Sequence, residues 1–267
     1  MIFDLAAVGD NCIDRLSGAV TSELVGGNAV NVAVQAARLG LTVAYAGAVG
    51  PAGEAEGDRV VAALAARHVD TRLVERRDRP TSITLVHVGA DGDRRFLHED
   101  FGACANWTPG PDTLAVLLGA RHVHIGWLQD GGALRRALVA AGVSVSQDVT
   151  VNAAPEDLGT EGLALAFASL PEADAGGAEA KAADLVAAGA KGAVVTLGRR
   201  GSVALVEGRI WRAKALPVAA LDTTGAGDAF IAGFLVARMR GADLPGALAA
   251  GHENAARCCL HPGGFPQ

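Results

Sequence analysis

An aspartate follows a loop of small residues in the stretch LDTTGAGDAFIAGFL, which runs from Leu221 to Leu235. After Ala226 the apolar residues recur at helical spacing, so Gly225-Ala226-Gly227 is predicted to open a buried helix. The first amides of a helix have no intrahelical acceptor, and the helix dipole adds partial positive charge there. Such a loop suits a phosphate group. Asp228 is then placed either to cap the helix or to take a proton from an attacking hydroxyl.

Phosphoryl transfer needs an amide cradle, a positioned nucleophile and a metal ion that neutralises charge. The loop supplies the amide cradle, and Asp228 supplies a base for the nucleophile. It matches neither Gly-x-x-x-x-Gly-Lys-Ser/Thr nor Gly-x-Gly-x-x-Gly, which disfavours a P-loop enzyme and a dinucleotide-dependent dehydrogenase.

A second polar cluster lies in GGNAVNVAVQAARLG, from Gly26 to Gly40. Asn28 is predicted to be the N-cap of a helix, and Asn28, Asn31 and Gln35 share one helical face. Carboxamides both donate and accept hydrogen bonds, so this face suits the hydroxyls of a sugar. The alternative is a cap followed by a solvated face.

Three polar residues, Asp10, Asn11 and Asp14, follow the first predicted strand. Asp14 is suited to accept hydrogen bonds from substrate hydroxyls or from a cationic amine. Ordinary solvated turn residues are the alternative at these positions.

Short apolar runs alternate with helical patterns along the chain, which predicts a mostly parallel α/β sheet with helices on both faces. In such sheets ligands bind beyond the carboxyl ends of the strands. The predicted strands are Ile2–Val8, Val43–Ala48, Ser82–Val88, His122–Trp127, Val143–Gln147, Leu163–Ser169, Ala193–Leu197 and Val218–Leu221. The predicted helices are Asn28–Leu39, Gly57–His68, Gly131–Ala141, Ala178–Ala188, Ala226–Met239 and Leu244–Cys259.

Two hairpins interrupt this alternation. The first is predicted to turn at ADGD, residues 90–93, and the second at Glu207-Gly208. We expect one domain over residues 1–267, with a small β lid from about 15–25 and 81–100. The net charge of −6 disfavours a nucleic-acid partner. The amino terminus resembles a strand more than a signal peptide, and no apolar run has the ~20 residues that cross a bilayer. The four cysteines match no zinc pattern, and the adjacent pair Cys258-Cys259 rarely forms a disulfide. A reduced cytoplasmic protein is therefore expected.

Taken together, GGNAVNVAVQAARLG and DTTGAGDAFIAGFL resemble the two signatures of the ribokinase-type (PfkB) carbohydrate kinase family. The resemblance implies a Rossmann-like, ribokinase-like domain that uses ATP and Mg²⁺, with a monovalent cation such as K⁺ as a further expectation. It also implies roles for individual residues. Gly225, Ala226 and Gly227 form the anion hole and Asp228 is the base, while Asp14, Gly27, Asn28 and Asn31 hold the sugar. Thr196, Gly198, Gly201 and Asn254 contact the nucleotide, Glu172 lies near the metal, and Asp222 and Thr224 fall in the cation loop.

Some residues depart from the family pattern. Ser169 stands where an Asn often precedes the metal-site glutamate, and Asp148 is the counterpart of a usual Asp-Pro-Asn strand end. Only about ten residues separate Asp14 from Gly26, so the lid is small or is completed by a second subunit. Within the family, the sequence is most similar to kinases whose sugar is already joined to an amine; the similarity lies in the short lid, the opening GDNCID, the intact GGNAVNVAV and the FAS before the acidic stretch. Asp14, Glu99 and Asp100 are candidates for contacting the cationic nitrogen, and ordinary surface carboxylates are the alternative.

Several alternatives stay open at this point. Other carbohydrate kinases of the family act on ribose, fructose, 2-keto-3-deoxygluconate or nucleosides, and a non-catalytic sugar or nucleotide sensor would keep the fold without the chemistry. A metal site at His122 and His124 is disfavoured, because no carboxylate or thiol stands at a useful spacing. Packing roles are expected for both histidines.

Overall fold

A computed structural model describes residues 2–89 and 94–267 of the protein. The strands are β1 Leu5–Val8, β2 Cys12–Gly18, β3 Ser22–Gly26, β4 Val43–Val49, β5 Val69–Arg76, β6 Ile83–Val88, β7 Arg94–Asp100, β8 His122–Ile125, β9 Val145–Asp148, β10 Leu165–Ser169, β11 Gly192–Thr196, β12 Ser202–Val206 and β13 Arg209–Ala213. The helices are α1 Asn28–Arg38, α2 Ala55–Ala65, α3 Pro111–Leu118, α4 Ala133–Ala140, α5 Ala178–Ala187, α6 Ala226–Met239 and α7 Leu244–Cys258.

A nine-stranded sheet forms the centre, in the order β13-β12-β11-β10-β9-β8-β1-β4-β5. The strands from β11 through β5 pair in parallel, and β12 and β13 extend the sheet as an antiparallel hairpin. The strand order reverses at β1, so the crevice beyond its carboxyl end is the expected ligand position. The fold is the predicted Rossmann-like, ribokinase-like α/β arrangement.

Alternate residues of each central strand enter two different hydrophobic layers. Leu5 and Ala7 of β1 pack in the layer that contains α1, α6 and α7, whereas Ala6 and Val8 pack in the layer that contains α3, α4 and α5. Burial of each large side chain in these layers stabilises the fold by about 1.5–3 kcal/mol. Both faces of the sheet are therefore covered, and its carboxyl edge is left to hold polar groups.

A second, small sheet has the strand order β3-β2-β6-β7. The β2 and β6 strands run parallel, while β3 and β7 pair antiparallel at the two edges. A compact apolar cluster of Leu16, Leu24, Val86 and Val88 lies on it. The antiparallel pairing of β6 with β7 agrees with the first predicted hairpin, whose turn at residues 90–93 lies outside the described residues.

The second predicted hairpin is confirmed, and Glu207 and Gly208 adopt the positive φ angles of its turn. The strand predicted at Val218–Leu221 is wrong. This segment is irregular, and the Leu221 amide bonds to the Cys259 carbonyl instead of a neighbouring strand. The prediction missed β5 and α3. Charged residues interrupt the apolar pattern of β5, and a Gly-Pro pair that resembles a turn opens α3.

Among the described residues, no helix combines the length and apolar character needed to cross a lipid bilayer.

Candidate active site

The loop before α6 has the predicted position at a helix N-terminus. Gly225 is the N-cap residue with φ of 74°, and a Cβ on it would lie 2.4 Å from the Gly264 Cα. Only glycine fits there, because the conformation is left-handed and the space is filled. A Cβ on Gly227 would meet nothing within 4 Å, so open space lies in front of this residue.

The backbone amides of this loop differ in whether they donate a hydrogen bond within the protein. The Ala226 amide donates to the Thr223 carbonyl at 3.1 Å. By their position in the first turn, the amides of Gly227 and Asp228 have no acceptor within the helix. The anion hole at Gly225, Ala226 and Gly227 stays a prediction, and the Ala226 amide is engaged with Thr223 in this structure.

Two asparagines of α1 hold the carboxylate of Asp228. Asn28 Nδ2 donates to Asp228 Oδ1 at 2.8 Å, and Asn31 Nδ2 donates to Asp228 Oδ2 at 2.7 Å. The asparagines lie on the shared helical face that the sequence predicted, whereas the interpretation of that face as solvated is wrong. Asp228 is half-buried and is tied to α1 through both of its oxygens.

The N-terminus of α1 is capped differently from the prediction. Gly27 is the N-cap residue with φ of 109°, and Asn28 is the first helical residue with no capping bond of its own. The carboxylate of Asp10 accepts from the Asn28 amide at 2.9 Å and from the Ala29 amide at 3.2 Å. Asp10 therefore caps the helix from the end of β1, which leaves the Asn28 side chain for the site.

Carboxylates surround Asn28 at the carboxyl edge of the sheet. Asp148, at the end of β9, accepts from Asn28 Nδ2 at 3.0 Å. Burial raises the pKa of Asp228 well above its ordinary value; a hydrogen bond from Asn31 lowers it, and the charges of Asp148, Asp10 and Asp14 raise it further. Burial also raises the pKa of Asp148. It raises the pKa of Asp10 to about 6, although hydrogen bonds from the helix amides of Ala29 and Asn28 lower it. A raised pKa makes Asp228 a stronger base once it is ionised.

The residues predicted to bind a sugar lie around the space between the carboxyl edge of the central sheet and the small sheet, which we call the cleft. Asp14, on β2, is half-buried and accepts a hydrogen bond from the Cys12 thiol at 3.2 Å. A Cβ on Gly27 would lie 2.6 Å from the Asn11 Cα, so this glycine allows α1 to approach the loop after β1. The Oδ1 atoms of Asn28 and Asn31 are buried and have no hydrogen-bond partner within the described structure. The Asn28 Oδ1 atom lies against Gly126 and the Asn31 Oδ1 atom lies against Gly264, where an added Cβ would be 2.5 Å and 2.2 Å away.

Thr196, Gly198 and Gly201, three of the residues predicted to contact a nucleotide, lie at the end of β11 or just after it, and Glu172 follows β10. Thr196 Oγ1 bonds to Ser169 Oγ at 2.7 Å, so Ser169 links the ends of these two strands. Glu172 is exposed and accepts from the Arg199 amide at 3.0 Å. Arg199 also lowers the pKa of Glu172 through its hydrogen bonds.

Two glycines shape the turn that follows Thr196. Gly198 has φ of 55° and Gly201 has φ of 103°. A Cβ on Gly198 would lie 2.8 Å from Glu172 Oε1, and one on Gly201 would lie 2.0 Å from the Ala213 carbonyl oxygen. Gly201 is thus required by close packing against backbone, and Gly198 by its left-handed conformation. Their contact with a nucleotide stays a prediction.

Two other predicted site residues make internal contacts. Asn254 is buried, and its Nδ2 donates to the Ala229 carbonyl at 2.8 Å and to Gln35 at 3.4 Å. Asp222 is buried and accepts from the amides of Thr224 at 2.9 Å and Gly263 at 2.7 Å. These contacts join α7 to α6 and the loop before α6 to the carboxyl-terminal segment. An adenine contact of Asn254 and a cation site at Asp222 stay predictions.

Sequence reasoning missed the role of the carboxyl-terminal segment 262–267. The Gly264 carbonyl accepts from Gln35 Nε2 at 2.6 Å, and a Cβ on Gly264 would lie 2.2 Å from Asn31 Oδ1. Phe265 is fully buried in the core. The segment therefore packs directly behind the residues that hold Asp228. The paired glycines of HPGGFPQ were the available signal for such a close approach.

The histidine pair on β8 has the packing role that the sequence favoured. His122 bonds to Ser144 at 2.9 Å and to Ser146 at 2.8 Å, and His124 bonds to Ser146 at 2.9 Å. Burial lowers the pKa of His122 to about 4 and that of His124 to about 3. Both rings are therefore neutral near pH 7.

The fold, the loop before α6 and the asparagine face of α1 define one class of protein. The sequence model of the pfkB family carbohydrate kinases matches residues 14–265, and the chain belongs to this family. It is a carbohydrate kinase. Among curated proteins, it is 34% identical over 264 residues to the fructoselysine 6-kinase of Shigella flexneri, with 98% of this chain and 99% of that protein covered. It is 27% identical over 275 residues to the fructosamine kinase FrlD of Bacillus subtilis strain 168, with 98% and 92% covered.

Solved structures support the same fold. The ribokinase of Arabidopsis thaliana, complexed with ribose and ATP, superposes with a TM-score of 0.84 and covers 100% of this chain and 96% of its own. At 23% identity this likeness concerns the fold. It agrees with the ribokinase-like arrangement of the central sheet and its helices.

Proposed function

We propose that the protein transfers the γ-phosphoryl group of ATP to the primary 6-hydroxyl of a sugar–amine conjugate of the fructosamine type. The observation that carries the chemistry is the position of Asp228, directly behind the open space at Gly227 and held by Asn28 and Asn31. The substrate class is supported by the full-length similarity to the fructoselysine 6-kinase and to FrlD.

Asp228 acts as the general base in this proposal. Its oxygens accept hydrogen bonds from the side-chain amides of Asn28 and Asn31. These amides donate hydrogen bonds but are not acidic, so they orient the carboxylate and leave it charged. It removes the proton of the hydroxyl as that oxygen attacks the phosphoryl group. The raised pKa of Asp228 strengthens the base, and the ionised form is available above that pKa.

The first turn of α6 holds the transferring phosphoryl group. Its amides and the helix dipole stabilise negative charge on the equatorial oxygens, and the absence of a side chain at Gly227 lets those oxygens approach. Asp14, Gly27, Asn28 and Asn31 hold the sugar.

Mg²⁺ neutralises charge on the nucleotide phosphates when it is bound. No group of three or more His, Cys, Asp or Glu side chains within residues 2–89 and 94–267 is arranged to hold a metal ion. Proteins usually bind Mg²⁺ through one or two carboxylates, water and substrate phosphates, so a single carboxylate is enough for the protein's share of the site. Glu172 is exposed at the edge where the nucleotide is expected and is the side chain we assign to it.

We assign Asp222 the role of fixing the loop before α6, because its carboxylate accepts hydrogen bonds from the backbone amides of Thr224 and Gly263. The monovalent cation remains an expectation for this loop. The turn with Thr196, Gly198 and Gly201 lies beside Glu172 and is assigned to the nucleotide.

The small sheet acts as the lid over the sugar, and two copies of it form a homodimer in this proposal. Phe96 and Leu97 of β7 are 73% and 52% exposed on the small sheet, which supports an apolar contact between copies. Sedimentation equilibrium of the wild type and of the Phe96→Ser variant tests this point. A monomeric wild type would contradict it.

A coupled assay that measures ADP formation tests the substrate class. The panel holds fructoselysine, a second fructosamine, free fructose, ribose and a nucleoside. We expect the highest kcat/KM with the fructosamines. Turnover of free hexoses or nucleosides without turnover of fructosamines would contradict the proposed substrate, and no ADP formation with any member would contradict the kinase activity.

A further inference from the structure

Three residues of the small sheet form one row across neighbouring strands. Asp14 of β2 is the register partner of Thr84 of β6, and Thr84 is the register partner of Glu99 of β7. Side chains at paired positions lie on the same face of a sheet. Two inter-strand spacings, about 10 Å, therefore separate the backbones of Asp14 and Glu99. Each end of the row carries a carboxylate.

This face of the small sheet is directed at the cleft. At one end of the row, a Cβ on Gly26 would lie 2.7 Å from Asp14 Oδ2, and Gly26 directly precedes the loop into α1. At the other end, Asn152 Nδ2 donates to Glu99 Oε2 at 2.9 Å. Asn152 lies four residues after Asp148, which bonds to Asn28. The row thus spans the cleft from α1 to the loop after β9.

Aromatic packing fixes the Glu99 end of the row. Trp127 Nε1 donates to the Asn152 carbonyl at 2.7 Å. Phe101 stacks on Trp127 with ring centroids 3.8 Å apart and an interplanar angle of 4°. Glu99 is exposed, and its carboxylate is tied through Asn152 to the loop after β9, two residues before Phe101 stacks on Trp127.

Two other charged residues of the small sheet, Asp100 and Arg15, lie on its opposite face. Asp100 pairs with Ile83 on the opposite face, and its Oδ1 accepts from the Gly102 amide at 2.9 Å. Arg15 is also on the opposite face, where it pairs with Glu23 and Glu56. Glu99 and Asp14 thus share the face toward the cleft, and the cation Arg15 does not neutralise them there.

We propose that Glu99 is the specificity-determining residue that binds the protonated amine of the substrate, an assignment that rests on the proposed function. The amine is bonded to carbon 1 of a fructosamine, at the opposite end of the sugar from the 6-hydroxyl that Asp228 deprotonates. Asp14 and the asparagines of α1 hold the hydroxyls between them. The nitrogen donates a charge-assisted hydrogen bond to Glu99, whose carboxylate has acceptor capacity for both this donor and Asn152.

The test compares two substrates that differ in one atom group. One is 1-deoxy-1-butylamino-fructose, and the other is the ether 1-O-butyl-fructose, which has no cationic nitrogen. The kcat/KM of each is measured for the wild type, for Glu99→Gln and for the neighbouring control Asp100→Asn. Circular dichroism and thermal unfolding establish that each variant is folded.

We expect Glu99→Gln to lower kcat/KM for the amine about 10-fold, in line with loss of one hydrogen bond to a charged group. The kcat/KM for the ether is expected to stay the same, and Asp100→Asn is expected to leave the amine-to-ether ratio unchanged. An equal loss on both substrates would assign Glu99 to lid structure and overturn the inference, as would wild-type kcat/KM values on both substrates. A wild type that shows no preference for the amine would instead refute the proposed substrate class.

Discussion

Replacing Gly227 with alanine is expected to change stability and activity in opposite directions. A Cβ at this position meets nothing within 4 Å, and φ is not in the left-handed region. Alanine is favoured over glycine in helices by up to about 1 kcal/mol, so the melting temperature should rise by about 2 °C for a chain of this size. The added methyl group, however, occupies the space through which phosphoryl oxygens reach the first-turn amides.

Loss of a single donor from a comparable anion-stabilising site lowers kcat about 100-fold or more, and we expect a decrease of that order for Gly227→Ala. The assay is steady-state ADP formation together with differential scanning calorimetry. The matched control is Gly110→Ala, where a Cβ also meets nothing within 4 Å but which precedes α3, far along the chain from the loop. The control should keep full activity. A Gly227→Ala enzyme with wild-type turnover would refute the phosphoryl-binding role of this helix terminus.

Two further predictions concern the carboxylates. Asn31→Asp puts a second carboxylate where an amide now donates to Asp228 at 2.7 Å. The like charge raises the pKa of Asp228 further, so the acidic limb of the kcat/KM–pH profile should move at least about one unit to higher pH. An unmoved limb would count against Asp228 as the titrating base. The pKa of Asp10 is raised from 3.8 to about 6 in the folded protein, so the folded state binds more protons than the unfolded state between these values and stability falls as pH rises from about 4 to about 6, by at most about 3 kcal/mol. Urea denaturation should show a shallower fall for Asp10→Asn over this range, whereas identical slopes would contradict the assignment.

Local periodicity predicted the two helices that carry the site. The apolar spacing after Ala226 places the loop at a helix terminus, and the i, i+3, i+7 spacing puts Asn28, Asn31 and Gln35 on one face. These features depend on residues close together in the chain, so sequence patterns determine them. The partners of that face do not follow from periodicity, because Asn28 and Asp228 are 200 residues apart.

The contacts that cap α1 and those of the carboxyl-terminal segment could not be predicted from the sequence for the same reason. Asp10 caps α1 from 18 residues away, so a local search for an N-cap selected Asn28 instead. Gly264 reaches Gln35 across 229 residues. The nucleotide, Mg²⁺ and monovalent-cation contacts, the homodimer, the cytoplasmic location and the lack of nucleic-acid binding stay predictions from the sequence.

The most direct test of the account is the turnover of Asp228→Asn with the best fructosamine substrate. The variant keeps nearly the same shape but cannot accept a proton at this position. We predict a decrease in kcat of at least about 100-fold, as expected for loss of a general base, with ATP binding and thermal stability close to those of the wild type. Turnover near the wild-type value in a folded, ATP-binding Asp228→Asn enzyme would contradict the assignment of Asp228 as the base.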